Sequence, residues 1–278
     1  MKVRAVLVLL LTVVIKVQAQ QDSLKKTTFT LATMYSNNIS YYGQSTNEKM
    51  PYILANLTVR FPVGIYLSAG SYKLFNYGSG LSEADLGIGY DYDFNDRFNM
   101  GVAYTRSFFP ANSPLLQAAN QNNVNLTTTY DWSWLKTSFS ADYAFGTQND
   151  VFISLNNSKE ISLGNLFNEK NMIFIEPAVE LIGGTQRFYE TYVIEKGKRD
   201  QANGKGKGLE LPRNSDQTVT TTYNRFNLLS YNFKLPLSLS RSSYIAEISY
   251  QLSVLGPKAQ AELKHQQSLF GFAFYYQF

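Results

Sequence analysis

From Ala84 to Asn95 the chain alternates without a break. Ala84, Leu86, Ile88, Tyr90, Tyr92 and Phe94 share one face, and Asp85, Gly87, Gly89, Asp91, Asp93 and Asn95 share the other. A period of two is the signature of a strand with unlike faces and is incompatible with an amphipathic helix, whose apolar residues recur every three to four positions. The same split separates Leu229, Tyr231, Phe233, Leu235 and Leu237 from Ser230, Asn232, Lys234, Pro236 and Ser238. It returns at the end, with Phe270, Phe272, Phe274, Tyr276 and Phe278 against Gly271, Ala273, Tyr275 and Gln277.

Extended over the chain, this reading places strands at 27–36, 51–61, 65–75, 83–94, 97–108, 124–132, 135–145, 151–162, 172–183, 226–239, 244–254 and 267–278. The eighth is the weakest, because Asn156, Asn157, Ser158 and Lys159 interrupt its apolar face. An even count puts both ends of the array on one side. Connections after even-numbered strands are mostly short, and those after odd-numbered strands mostly longer, the longest spanning 184–225. That asymmetry matches short periplasmic turns and long extracellular loops.

Alternation alone does not separate a soluble sandwich from a membrane barrel. Composition does. There are 20 Tyr and 19 Phe, and charged residues make up 17% of the chain, against about 25% in ordinary soluble domains. Several polar faces carry Gly, Ser, Asn and Asp rather than the Lys and Glu of a solvated sheet. Trp132 and Trp134 flank a short turn, where an interfacial girdle would lie. Past the N-terminus no apolar run approaches the ~20 residues of a spanning helix, and only helices or closed barrels satisfy their own backbone hydrogen bonds in lipid. The fold expected is an all-β, transmembrane, antiparallel up-and-down barrel of about twelve strands.

At the N-terminus Lys2 and Arg4 precede the apolar run Ala5–Ile15, followed by Lys16 and Val17-Gln18-Ala19. This is the pattern of a secretory signal peptide. The division expected is a signal peptide over 1–19 and a barrel over 20–278. Cleavage leaves 22 basic against 21 acidic residues, which removes the concentrated positive charge that nucleic-acid binding requires. The chain has no cysteine, and so no disulfide, thiolate zinc site or lipid-accepting residue.

The final strand of alternating aromatics ending in Phe278 is similar to the C-terminal signature of Gram-negative outer-membrane barrels. The segment from Phe226 to Leu237 resembles one seen in uncharacterised outer-membrane proteins of the Bacteroidota. The resemblance implies that Phe274, Tyr276 and Phe278 form a signal read by the barrel-insertion machinery. It carries over no catalytic residue.

The polar faces supply the candidate lumen-lining residues: Asp91, Asp142, Glu176, Glu180 and Glu247 are acidic, and Arg60, Lys136 and Lys234 basic. Twelve strands about 4.8 Å apart, tilted by about 40°, enclose a backbone radius of roughly 12 Å. The inward charges either line a narrow passage or pair across it. A passive channel or uptake barrel for small polar solutes is the leading reading, and a structural or surface-interaction barrel with a closed lumen the alternative. A lipid-modifying enzyme is more distant: the single histidine, His265, falls on the opposite parity from Ser268, so the pair does not make a nucleophile and base. No cluster has metal-ligand spacing, and no cofactor is called for. Lys196, Lys198, Arg199, Lys205 and Lys207 in the longest loop could attract anionic polysaccharide or lipopolysaccharide, although the interspersed glycines favour a flexible solvated segment.

Overall fold

The computed structural model describes residues 26–45, 48–111, 113–166, 170–187, 226–257 and 265–278. The expected signal peptide and the basic segment between Lys196 and Lys207 lie outside these residues. The described chain contains β1 (Thr28–Ser36), β2 (Tyr52–Arg60), β3 (Ile65–Leu74), β4 (Glu83–Asn95), β5 (Phe98–Phe108), β6 (Asn122–Asp131) and β7 (Lys136–Phe145). It continues with β8 (Asn149–Ser158), β9 (Ile161–Asn165), β10 (Met172–Ile175), β11 (Ala178–Gly184), β12 (Asn227–Arg241), β13 (Tyr244–Leu255) and β14 (Gln266–Gln277).

Each strand pairs antiparallel with its neighbours, and the circuit closes twice over. β1 pairs with β14, while β11 bridges β8 and β12. The fourteen segments make twelve staves, because β8 with β9 and β10 with β11 are each one stave interrupted partway. The second interruption falls at Glu176-Pro177, where proline has no N–H to give the ladder. The first falls opposite it, at Lys159-Glu160, where the Lys159 N–H reaches the Pro177 carbonyl at 3.1 Å. The alternation identifies both staves but hides these breaks. It also starts the sixth and eighth strands two residues late, since Asn122, Asn123, Asn149 and Asp150 offer no apolar contrast.

At the seam, the Phe29 N–H donates to the Phe278 carbonyl (3.1 Å) and the Phe278 N–H to the Phe29 carbonyl (3.0 Å), with the two rings stacked at 5.8 Å. A one-residue slip there would turn every apolar side chain inward. The register instead puts Leu86, Ile88, Phe233, Leu235 and Phe272 on the outside, all well exposed, with Tyr90 and Phe274 on the same parity. In water so wide an apolar surface would drive association; in a bilayer it is the surface that meets lipid. An aromatic ladder runs along the short-turn rim from Tyr92 to Phe94 (4.8 Å), Phe98 (5.1 Å), Tyr130 (6.5 Å) and Trp132 (4.5 Å). Such a girdle marks one membrane–water boundary.

The inner wall is built for close approach. Tyr66 of β3 lies across Gly89 of β4, where a Cβ would overlap the phenol ring, so only glycine lets this ring lie flat on the wall. The buried apolar residues gather at the long-loop end. One cluster joins Leu116, Ala119, Ala144, Phe152, Ile182, Leu229 and Leu255, and a second joins Ile39, Met50, Tyr52, Leu74 and Leu115. Both draw on loop residues, including the 3-10 turn Leu116–Ala119. Loops at this end therefore fold into the barrel rather than away from it.

Candidate functional site

The inner wall divides into a charged, accessible half near the short turns and a packed half near the long loops. In the charged half Arg60 of β2 pairs with Asp91 of β4, and the guanidinium also lies 4.9 Å from the centre of the Tyr66 ring. Lys136 of β7 stands 3.9 Å from Glu176, which accepts a hydrogen bond from Ser158 at 2.7 Å. Lys234 of β12 pairs with Glu180 of β11 at 2.9 Å. Six of the eight lumen candidates thus form three cross-strand ion pairs.

The other two are acidic and are held by neutral groups. Asp142 accepts from the amides of Asn123 (2.9 Å) and Asn125 (2.8 Å) and from the Ser140 hydroxyl (3.2 Å). Glu247 accepts from Ser238 at 3.2 Å. With the pairs cancelled, Asp142 and Glu247 leave the candidate set net negative. Two further carboxyl groups lie near the long loops: Glu83, buried and bonded to Gln117 at 3.1 Å, and Asp150, buried and accepting from the Asn120 amide at 3.1 Å and the Arg187 N–H at 2.9 Å. Neither stood out in the sequence, since each sits where a strand meets a loop and alternation fades.

The first long loop is the feature that strand periodicity does not reveal. Residues 37–45 turn inward from β1 and cross to the opposite wall. Tyr42 stacks on Phe152 of β8 with centroids 3.6 Å apart and planes within 11°, and Tyr41 meets the same ring edge-on at 5.6 Å. The chain passes the β12 wall at Gly43, which has φ +81° and no room for a Cβ beside Ser230. Left-handed φ and close approach both call for glycine there. The Ser230 hydroxyl donates to the Tyr42 carbonyl at 3.1 Å, and the Gln267 amide donates to the Ser45 carbonyl at 3.3 Å. Gln44 and Ser45 are fully buried. Burial pushes the Tyr41 and Tyr42 phenols well above the usual tyrosine range, so both stay protonated and the docked segment adds no charge to the passage.

Between this loop and the wall lies a cavity of ≈ 350 Å³, bordered by β1, β2 and β11 to β14. Glu180 of the candidate set reaches it. Ser268 faces outward, with its hydroxyl 3.1 Å from that of Tyr250. His265 contributes its carbonyl to the Leu255 N–H at 2.9 Å. Among the described residues no group of three or more His, Cys, Asp or Glu side chains could hold a metal ion.

No family model matches the chain, and a search of curated proteins found no match. Among solved structures it is similar to the KdgM porin, at 10% identity and TM-score 0.47, over 90% of this chain and 99% of that one. It is similar to an outer membrane channel from Pseudomonas putida F1 at 9% identity and TM-score 0.47, over 94% and 98%. It is also similar to LpxR from Salmonella typhimurium at 9% identity and TM-score 0.48, over 89% and 99%. The chain's own register and apolar outer belt identify it as a closed, twelve-stave, membrane-spanning β-barrel of the outer-membrane type.

Proposed function

We propose that the chain is a narrow passive channel for small polar solutes. The observation that carries this reading is the contrast between wall and plug. The inner wall is polar and charge-paired through the short-turn half, while residues 37–45 narrow the other half and still leave a ≈ 350 Å³ cavity against the wall. A barrel that served only as a scaffold would have no need of ion pairs exposed to an aqueous interior, which apolar packing replaces at no loss of stability. The surplus carboxylates Asp142 and Glu247 favour cations by raising their local concentration.

Swelling of liposomes carrying the protein tests the reading with solutes of increasing size. Entry of three-carbon polyols and hexoses with a sharp cut-off above them supports it. A second reading, a closed barrel that displays surface loops, is favoured by the complete burial of Gln44 and Ser45 in the plugging segment. Liposomes that never swell would favour that second reading over the first. Export by a signal peptide cleaved after Ala19, recognition of Phe274, Tyr276 and Phe278 by the insertion machinery, and attraction of lipopolysaccharide by the basic residues from Lys196 to Lys207 belong to the same proposal. The sequence patterns and the composition support them. A Bacteroidota origin, implied by the resemblance of the segment Phe226–Leu237, is part of the same proposal.

A further inference from the structure

The cavity beside the docked loop has a lining specific enough to name what it takes. We infer that it is a binding site for a neutral saccharide, an inference that rests on the channel reading and deepens it. The first support is charge. Among the described lining residues Glu180 is the only ionisable carboxylate or base, and its charge is met by Lys234 at 2.9 Å. The cavity is therefore polar without a net field. An amino acid, a nucleotide or an acidic sugar entering it would leave its own charge unpaired, at a desolvation cost the lining does not offset.

The second support is the count of unused acceptors. The Lys234 ammonium and the Asn232 amide both donate to Oε2 of Glu180, at 2.9 and 2.8 Å, which leaves Oε1 to accept a hydroxyl. Asn232 is 1% exposed, and its Oδ1, like the Oγ of Ser40, is buried without a hydrogen-bond partner. Buried acceptors left unpaired are destabilising and call for a donor to complete them. A ring of hydroxyls supplies donors at this density. On the same lining stand Ser249, Asn38, whose Oδ1 accepts from the Met50 N–H so that its amide nitrogen is left to donate, and Gln251, whose amide nitrogen donates to Ser253 so that its Oε1 is left to accept.

The third support is the apolar part. Tyr42 and Tyr52 stand on the lining with Met34, Ile182 and Leu269. A sugar presents C–H surface as well as hydroxyls, and sites for small ligands pair a mostly apolar lining with a few placed polar groups. At ≈ 350 Å³ the space lies at the lower end of the roughly 300–1,000 Å³ of such sites, which suits one or two sugar rings rather than a chain.

Titration calorimetry on the detergent-solubilised barrel reads this directly, with maltose and cellobiose as neutral probes and galacturonic acid and glucosamine as charged ones. Saturable binding of at least one neutral disaccharide is expected, together with at least tenfold weaker binding of both charged sugars. Asn232→Leu removes an acceptor and should weaken neutral binding at least tenfold. Ser40→Leu, in the loop, should do the same by filling the space, and a folded barrel in either variant is verified by faster migration on an unheated gel. Absence of saturable neutral binding, equal binding of a charged sugar, or unchanged affinity in folded Asn232→Leu and Ser40→Leu would each overturn the site. Sugar binding by a barrel that passes no solute would keep the site and remove the channel. Solute flux without saturable sugar binding would do the reverse.

Discussion

Replacing Phe152 with alanine should release the loop that narrows the barrel, and the size of the effect follows from what the ring touches. It is fully buried, stacks on Tyr42 at 3.6 Å and receives the edge of Tyr41 at 5.6 Å. A buried Phe→Ala change costs about 3–5 kcal/mol in all, but part of that falls on contacts with the barrel wall, such as the approach of Gly184. The loop's share is two aromatic contacts of about 0.5–1.5 kcal/mol each, plus the apolar area of one Tyr42 face. Roughly 2–3 kcal/mol therefore comes off the docked state. At about 1.4 kcal/mol per tenfold, the undocked population rises about 30- to 150-fold. The chain has no cysteine, so Ser45→Cys, at a fully buried and nearly isosteric position, becomes a single reporter. Its reaction with a water-soluble maleimide should accelerate by that factor in Phe152→Ala, while the barrel still resists detergent unfolding below boiling. Acceleration of less than threefold would show that the Tyr42–Phe152 stack does not hold the loop.

Leu235→Arg, at mid-stave on the outer face, should destabilise folding into bilayers by about 2–4 kcal/mol, measured by denaturant titration in lipid; a neutral effect would mean that this face does not meet lipid. Changing Glu176, Glu180 and Glu247 together to Gln strands Lys136 and Lys234 without their partners, so the reversal potential under a salt gradient should move toward anions, and an unmoved potential would place these residues off the ion path. Deleting Phe278 removes both seam hydrogen bonds with Phe29 and the ring stack, and pulse-chase assembly should slow severalfold; normal kinetics would free this residue of a role in insertion. The Tyr41 and Tyr42 phenols are raised by burial, so their contribution to docking is complete below the ordinary tyrosine value of about 10 and is lost as pH rises above it toward the raised values. Flux should therefore increase as the pH rises above about 10, and the absence of any increase there in a barrel that stays folded would contradict this assignment.

The staves were legible because lipid on one side and water on the other impose the strongest binary pattern a strand can carry. Leu86, Ile88 and Tyr90 announce their face without reference to any other strand. The pairing of Lys234 with Glu180, or Arg60 with Asp91, was not legible, because it depends on which stave closes the ring beside which and at what register. The break at Glu176-Pro177 was hidden because apolar residues continue on both sides of it, although Pro177 itself was a signal. Least visible was the plug. Tyr41-Tyr42-Gly43 in a polar loop reads as an ordinary turn, and its partner Phe152 lies more than a hundred residues away on a stave whose inward face is otherwise polar. Contacts between a loop and a distant wall leave no period in the sequence. In the candidate site, the inward charges were visible as members of a polar face, whereas the cavity exists only because the loop comes back against them.

In the proposed channel a polar, net-acidic passage crosses the barrel and is narrowed by residues 37–45. Single-channel recording in planar bilayers, comparing the natural chain with Phe152→Ala in the same salt gradient, tests it most directly. A small, cation-preferring conductance is expected in the natural chain and a severalfold larger one, still cation-preferring, once the loop is released. Correctly inserted barrels that stay electrically silent in both forms would contradict it.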